Sequence, residues 1–312
     1  MTSVVPGTGR GGTPPGARRG PASLPLALVR ACRPRQWLKN LLVLAAPAAA
    51  GVLSDPGPLL TCAAVFVLFC AAASGTYLLN DVRDIERDRA HERKRHRPIA
   101  AGLVPVPLAV AVGITLCVLA PAASLALGEP LLTGIIGGYV LLTLAYTRYL
   151  KDVAVCDLVV VAACHVLRAV AGGVAVGVPL TSWFVIVVSL AALLVVVGKR
   201  EAELRTLGEG PANGPVRATL RAYTPTYLSQ TRTMASAAMV VTYCLWALEQ
   251  DGGAQNLFHV GSIVPFIMFV LRYNLLVDRG VGEEPEEIAL RDRPLQLILV
   301  ALTALVGLGI HL

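Results

Sequence analysis

Apolar residues fall along this chain in runs too long for the core helices of an ordinary soluble domain. Nine stretches, at about 38–54, 59–80, 106–127, 131–149, 153–176, 183–198, 233–250, 257–273 and 294–311, are long enough to cross a ~30 Å hydrocarbon layer, some only with tilt. The pattern predicts an all-α, polytopic integral membrane bundle of nine transmembrane helices, with 183–198 the shortest. Connectors at 54–58, 128–130, 177–182 and 251–256 join the spans in pairs and hold no Lys or Arg. Pro47, Pro121 and Pro265 interrupt spans and predict kinks or broken helices.

The other connectors are strongly basic. Residues 1–39 hold seven Lys or Arg, 81–105 seven, 148–152 two, 199–232 six and 272–293 four, and the remaining one of the 27, Arg168, lies inside the fifth span. This asymmetry places the N-terminus in the cytoplasm, the C-terminus outside, and the charged loops on the cytoplasmic face of a cell membrane. Composition agrees, with 55% hydrophobic and 15% charged residues and a mean hydropathy of +0.66. A net charge of +7 would suit nucleic acid in a soluble protein. Here it marks orientation in a lipid bilayer, and no nucleic-acid partner is expected. Seven cysteines without a CxxC spacing, mostly inside apolar runs, read as packing residues. Residues 1–29 read as a disordered basic tail lacking the h-region of a signal peptide, so the first span is expected to be retained and 30–312 to form a single nine-helix transmembrane domain.

The chemistry concentrates where the second span ends, at Asn80-Asp81-Val82-Arg83-Asp84-Ile85-Glu86-Arg87-Asp88. On a continuing helix turning ~100° per residue, Asp81, Asp84 and Asp88 fall within ~60° of one another, with Asn80 beside Asp84. Three carboxylates on one face repel unless a cation sits among them, and hard oxygen ligands suit Mg²⁺ held jointly with substrate phosphates. The basic run with Lys94, Arg95 and Arg97 lies just beyond, suited to anionic oxygens. Ahead of the first span, Arg33 and Trp37 read as an interfacial anchor, whereas Lys39 and Asn40 sit where a helix enters the membrane, within reach of a phosphate. Tyr146 and Lys151 close the fourth span at the same level. Asp157 and Arg168, inside the fifth, are ~16 Å apart along a helix, so each needs its own partner. Lys199 and Arg200 end the sixth span, and the loop behind them, with Tyr223 to Tyr227, is long enough for a short amphipathic cap. The loop 283–293 alternates in sign and reads as solvated.

The nine spans with Asn-Asp-x-x-Asp-x-x-x-Asp after the second resemble the UbiA superfamily of intramembrane prenyltransferases, from about residue 30 onward. In that superfamily the first aspartate motif binds Mg²⁺ with a diphosphate, and a second acidic motif follows the sixth helix. Here that position reads Gly198-Lys199-Arg200-Glu201-Ala202-Glu203, basic where carboxylates are usual. Several blocks are similar to the decaprenyl-phosphate phosphoribosyltransferase branch: 33–40, 80–88 with 94–102, Arg168 to Gly173, 198–204 and 284–293. That resemblance implies transfer of a phosphoribosyl group from phosphoribosyl pyrophosphate to a polyprenyl monophosphate, with Mg²⁺ as cofactor, on the way to arabinan donors for the cell wall; a homo-oligomer is compatible with it. Turnover would depend on Asp81 and Asp84. Asp81, Asp84, Asp88 and Asn80 would surround the metal, and Lys39, Asn40, Lys94, Arg95, Arg97, Tyr146, Lys151, Asp157, Lys199, Arg200 and Glu203 the substrates. Two rivals are a prenyltransferase acting on an aromatic or glycerol acceptor, which needs a second metal site, and a non-catalytic lipid-binding or transport protein, which would show inverted repeats with broken midplane helices.

Overall fold

The computed structural model describes residues 23–92, 94–209, 218–250, 254–280, 288 and 291–311, and all regular structure among them is helical. The α-helices whose bounds lie among the described residues are, in order, α1 (Leu24–Ala31), α2 (Ala45–Ala49), α3 (Pro56–Arg83), α4 (Ile85–Ala90), α5 (Val106–Ser124), α6 (Pro130–Ala145), α7 (Cys156–Ala175), α8 (Ser182–Glu209), α9 (Pro225–Glu249), α10 (Ala254–Asp278) and α11 (Arg293–His311). A 3₁₀ segment, Pro34–Leu44, leads into α2, and a π-helical turn, Tyr146–Leu150, extends α6.

Among the described residues, seven helices are long and apolar enough to cross a membrane, built on α3, α5, α6, α7, α8, α10 and α11. The other two predicted spans differ for physical reasons. The stretch expected at 38–54 is tightened into 3₁₀ geometry up to Leu44 and continues as the short α2. The stretch at 233–250 falls almost wholly in the 25-residue α9, where it is preceded by the polar Ser229, Gln230, Thr231 and Arg232 and itself carries Thr233, Thr242 and Glu249. The sixth span, expected to be the shortest, belongs to a helix of 28 residues because α8 continues past Lys199 and Arg200. Pro121 and Pro265 lie inside uninterrupted helices rather than at breaks. Of the expected tail, 1–22 lies outside the described residues, but 24–31 is helical, because Ala27 and Ala31 find an apolar seat against Leu78, Ile99 and Val104.

The bundle has two apolar centres. Val65, Phe69 and Ala72 of α3 meet Leu132, Ile136 and Tyr139 of α6, with Val43 and Ala171 closing one side. Leu194 of α8 meets Met239 and Tyr243 of α9, Phe266 and Val270 of α10, and Leu295 of α11. Burying such faces in lipid gains little from hydrophobicity, so close packing matters more. Gly172 shows how close: a Cβ there would stand 1.7 Å from the carbonyl oxygen of Val43. Only glycine lets α7 lie on the 3₁₀ segment, and that contact brings Lys39 and Asn40 to the bundle.

Candidate active site

Charged side chains gather at one end of the bundle, where α3, the extended α6 and α8 finish and α7 begins. The expectation of one continuing helix through the aspartates is corrected by the structure. Helix α3 stops at Arg83, and Asp84, with φ −92° and ψ 12°, separates it from α4. Arg83 contributes to the break by donating to the carbonyls of Thr147 (2.6 Å) and Arg148 (3.0 Å) on the π turn. Asp81 and Asp88 therefore share one cation, and Asp84 meets another. Nη1 of Arg97 donates to Asp81 at 3.2 Å and to Asp88 at 2.7 Å. Arg33 also donates to Asp81. Asp84 receives Lys151 Nζ at 2.8 and 3.0 Å.

The second constellation centres on Arg200. Its Nε donates to Asp157 at 2.9 Å, its Nη1 to Glu203 at 2.7 Å, and its Nη2 reaches the Tyr146 hydroxyl at 3.4 Å. Asp157 is fully buried and its other oxygen accepts the Tyr223 hydroxyl. Burial and the neighbouring Asp157 carboxylate push the Tyr223 hydroxyl above the usual tyrosine range, so it remains a donor. Lys199, one residue earlier on α8, is half-buried.

The remaining candidates scatter. Asn40 is fully buried and away from the aspartates: its carbonyl oxygen accepts Arg168 Nε at 2.7 Å, and its amide lies 3.2 Å from Cys70 Sγ. Arg168 also donates to the Tyr139 hydroxyl at 2.9 Å and the Cys164 carbonyl at 2.6 Å. Each buried charge of α7 has thus found a separate partner, as their spacing requires. Lys39 donates to Gln36 at 2.5 Å, and Lys94 and Arg95 are exposed on the turn before Arg97. Asn80 is half-buried beside the break, its backbone carbonyl accepting the Asp84 amide at 2.9 Å.

Two residues outside the expected set, Arg33 and Tyr223, reach the site, and a third, Trp37, bonds to α3. Arg33, expected as an interfacial anchor, sits on Asp81 from a left-handed backbone at φ 55°, and its guanidinium lies 5.1 Å from the Tyr77 ring centroid. Trp37, read the same way, donates to Ser74 at 3.1 Å. Tyr223 comes from a segment read as a surface cap. The signal for Arg33 was its place before Pro34; nothing local pointed Tyr223 at Asp157.

Among the described residues, no group of three His, Cys, Asp or Glu stands ready to hold a metal. Asp84 has turned to Lys151, leaving Asp81 and Asp88 as the converging pair. That pair fits a hard divalent cation: both carboxylates already reach one positively charged nitrogen, and their donors are all oxygen. The two carboxylates furnish only part of an octahedral shell, which suits a cation bound together with substrate phosphates.

A multi-pass helical membrane protein with paired carboxylates and cations at one end of its bundle is what fold and site define. The chain belongs to the UbiA prenyltransferase family, whose model matches residues 41–289. It is 46% identical over 294 residues to a decaprenyl-phosphate phosphoribosyltransferase of Mycobacterium tuberculosis, covering 93% of this chain and 96% of the relative. To the protein of the same name in Mycolicibacterium smegmatis it is 42% identical over 306 residues, covering 93% and 94%. Among solved structures, a UbiA homolog from Archaeoglobus fulgidus bound to GPP and Mg²⁺ superposes with a TM-score of 0.69 at 18% identity, covering 92% of this chain and 100% of that one. That likeness establishes the fold.

Proposed function

We propose that this protein transfers the 5-phosphoribosyl group of phosphoribosyl pyrophosphate to decaprenyl phosphate or a related polyprenyl monophosphate, releasing pyrophosphate. The observation that carries the reading is its 46% identity over 294 residues to an enzyme named for decaprenyl-phosphate phosphoribosyl transfer. The site's charge supports it. Where a second diphosphate-binding acidic motif would stand, the chain has Lys199 and a buried Arg200, and a polyprenyl monophosphate needs no second chelated metal.

Asp81 and Asp88, with Asp84 and Asn80 at the helix break beside them, would hold Mg²⁺ on the donor's pyrophosphate. Bound there, the ion would supply charge neutralisation for the departing pyrophosphate oxygens. Lys94 and Arg97 after α4, with Lys199 and Arg200 at the end of α8, supply cations for the ribose 5-phosphate and the lipid phosphate. The lipid phosphate oxygen is already ionised at neutral pH, so the residues around it need not remove a proton. It attacks ribose C1 while the bond from C1 to pyrophosphate breaks on the opposite side, inverting an α donor to a β-linked product. The protein's contribution is alignment and fixed charge around an oxocarbenium-like carbon.

This reading also places the Pro34–Ala49 segment and α9 across the membrane, giving nine crossings. The N-terminus and the charged end then face the cytoplasm at the plasma membrane, where the soluble donor is available, and the product feeds arabinan precursors of the cell wall. The test is purified protein with phosphoribosyl pyrophosphate, decaprenyl phosphate and Mg²⁺, with and without EDTA, following pyrophosphate and the lipid product together. Phosphoribosylated lipid formed only with the metal is the expected result. Pyrophosphate release from geranyl diphosphate instead would return the chain to prenyl transfer, and undiminished turnover in EDTA would remove the metal from the scheme.

A further inference from the structure

The hydroxyl of Tyr223 occupies a position that apolar packing does not explain. Its ring is buried beside Leu158, Val197 and Leu228, and stacks on Tyr227 with centroids 5.7 Å apart and planes within 5°. Phenylalanine would satisfy all of that. The hydroxyl does two further things at once: its oxygen accepts the backbone N–H of Val155 at 2.7 Å, and its proton goes to the free oxygen of Asp157. Val155 has φ 67° and ψ −47°, a conformation that a β-branched residue rarely adopts and that costs of order 1–3 kcal/mol. The turn that opens α7 is therefore held against its own preference, and it sets the direction of Asp157 two residues on.

Asp157 in turn faces Arg200. With one oxygen fixed by Tyr223 and the other by Arg200 Nε at 2.9 Å, the carboxylate has a single orientation. That orientation turns the remaining guanidinium nitrogens of Arg200 toward Glu203 and Tyr146. We infer that Tyr223 is a positioning residue for phosphate binding: by pinning the Val155 turn and Asp157 with one hydroxyl, it sets the angle at which Arg200 meets a substrate phosphate. The inference rests on Arg200 being a phosphate ligand, as proposed above, and extends it to a residue from the segment between α8 and α9.

Tyr223→Phe and Arg200→Lys, each purified beside the parent protein, separate the possibilities through KM for each substrate, kcat and the thermal midpoint. Tyr223→Phe is expected to raise KM for one phosphate-bearing substrate about tenfold, the scale of one lost hydrogen bond to a charged group, with kcat changed less than about twofold. Arg200→Lys should raise KM for the same substrate. If Arg200→Lys does so and Tyr223→Phe lowers only the thermal midpoint, the positioning role is overturned and the proposed function stands. If Arg200→Lys leaves both constants unchanged, Arg200 is not a phosphate ligand and the positioning role falls with it. An absence of phosphoribosyl transfer by the parent protein overturns the function and, with it, this inference. Should Tyr223→Phe fail to accumulate, it is read in a Val155→Gly background, where glycine adopts the positive φ without steric cost. A raised KM relative to Val155→Gly alone supports the inference, and an unchanged one overturns it.

Discussion

One guanidinium nitrogen of Arg97 bridges Asp81, at 3.2 Å, and Asp88, at 2.7 Å, across the break between α3 and α4. With Asp81 only 2% exposed, this arginine partly neutralises a carboxylate that is costly to leave unpaired. Arg97→Gln should destabilise the protein by roughly 1–3 kcal/mol, since Arg33 still pairs Asp81 and the glutamine amide can still donate to the buried Asp88. Added Mg²⁺ should then recover part of the lost thermal midpoint, because an ion bound only by the folded state stabilises it. A midpoint indifferent to Mg²⁺ in that variant would separate the carboxylate pair from any metal role.

The aspartates themselves give the complementary test. Asp81→Asn and Asp84→Asn should each lower Mg²⁺-dependent turnover by more than about a hundredfold, in line with loss of charge stabilisation in a reacting site. Membrane expression should persist, because asparagine keeps the shape and some hydrogen bonding. Asp84→Asn carries the sharper question, since Asp84 holds Lys151 at 2.8 Å rather than sharing Arg97. Retained activity there would make it an anchor for the π turn and leave Asp81 and Asp88 as the metal pair.

Lys199→Ala should raise KM for one phosphate-bearing substrate about tenfold or more, as expected when a charged contact to an anion is lost. Steady-state kinetics varying each substrate in turn distinguish the two anions. Unchanged constants for both would assign Lys199 to membrane orientation alone.

Much of this organisation was readable from residue order, and the misses have a common cause. Long apolar runs locate α3, α5, α6, α7, α8, α10 and α11 because lipid demands length and apolarity of each helix separately. The stretches at 38–54 and 233–250 are less legible: the first is tightened into 3₁₀ geometry up to Leu44, and the second follows the polar run Ser229 to Thr233 within α9. Spacing puts Asp81, Asp84 and Asp88 on one face, whereas in the structure Arg97 bridges Asp81 and Asp88 and Lys151 holds Asp84; Arg83, beside that turn, reaches the carbonyls of Thr147 and Arg148, 64 and 65 residues away in sequence. Tyr223 likewise meets Asp157 only after α7 and α8 have packed. Pairings within one helix are legible; pairings between helices need the fold.

Arg168 shows what a buried charge does when it is not at the site. It is 4% exposed and divides its donors among Asn40, Tyr139 and the Cys164 carbonyl, with its guanidinium 4.6 Å from the Tyr139 ring centroid. Arg168→Met removes the charge and leaves Asn40 and Tyr139 without their donor, at roughly 1–3 kcal/mol for each group left unsatisfied. A fall in thermal midpoint with KM for both substrates unchanged is expected. A rise in either KM with an unaltered midpoint would instead bring Arg168 into contact with substrate.

The last helix carries a pH dependence of its own. Asp292 accepts two bonds from Arg272, at 3.1 and 2.7 Å, and caps α11 by accepting the Leu295 amide at 2.8 Å. Those bonds, from Arg272 first, hold its carboxyl below the usual aspartate range. A group depressed in the folded state contributes stability above its unfolded pKa of about 3.9 and loses it as pH falls through the lower folded value. The thermal midpoints of the parent and Asp292→Asn should therefore differ at neutral pH and converge below about pH 4. Midpoints that coincide at neutral pH would show that asparagine replaces the carboxylate fully at both the cap and the Arg272 contact.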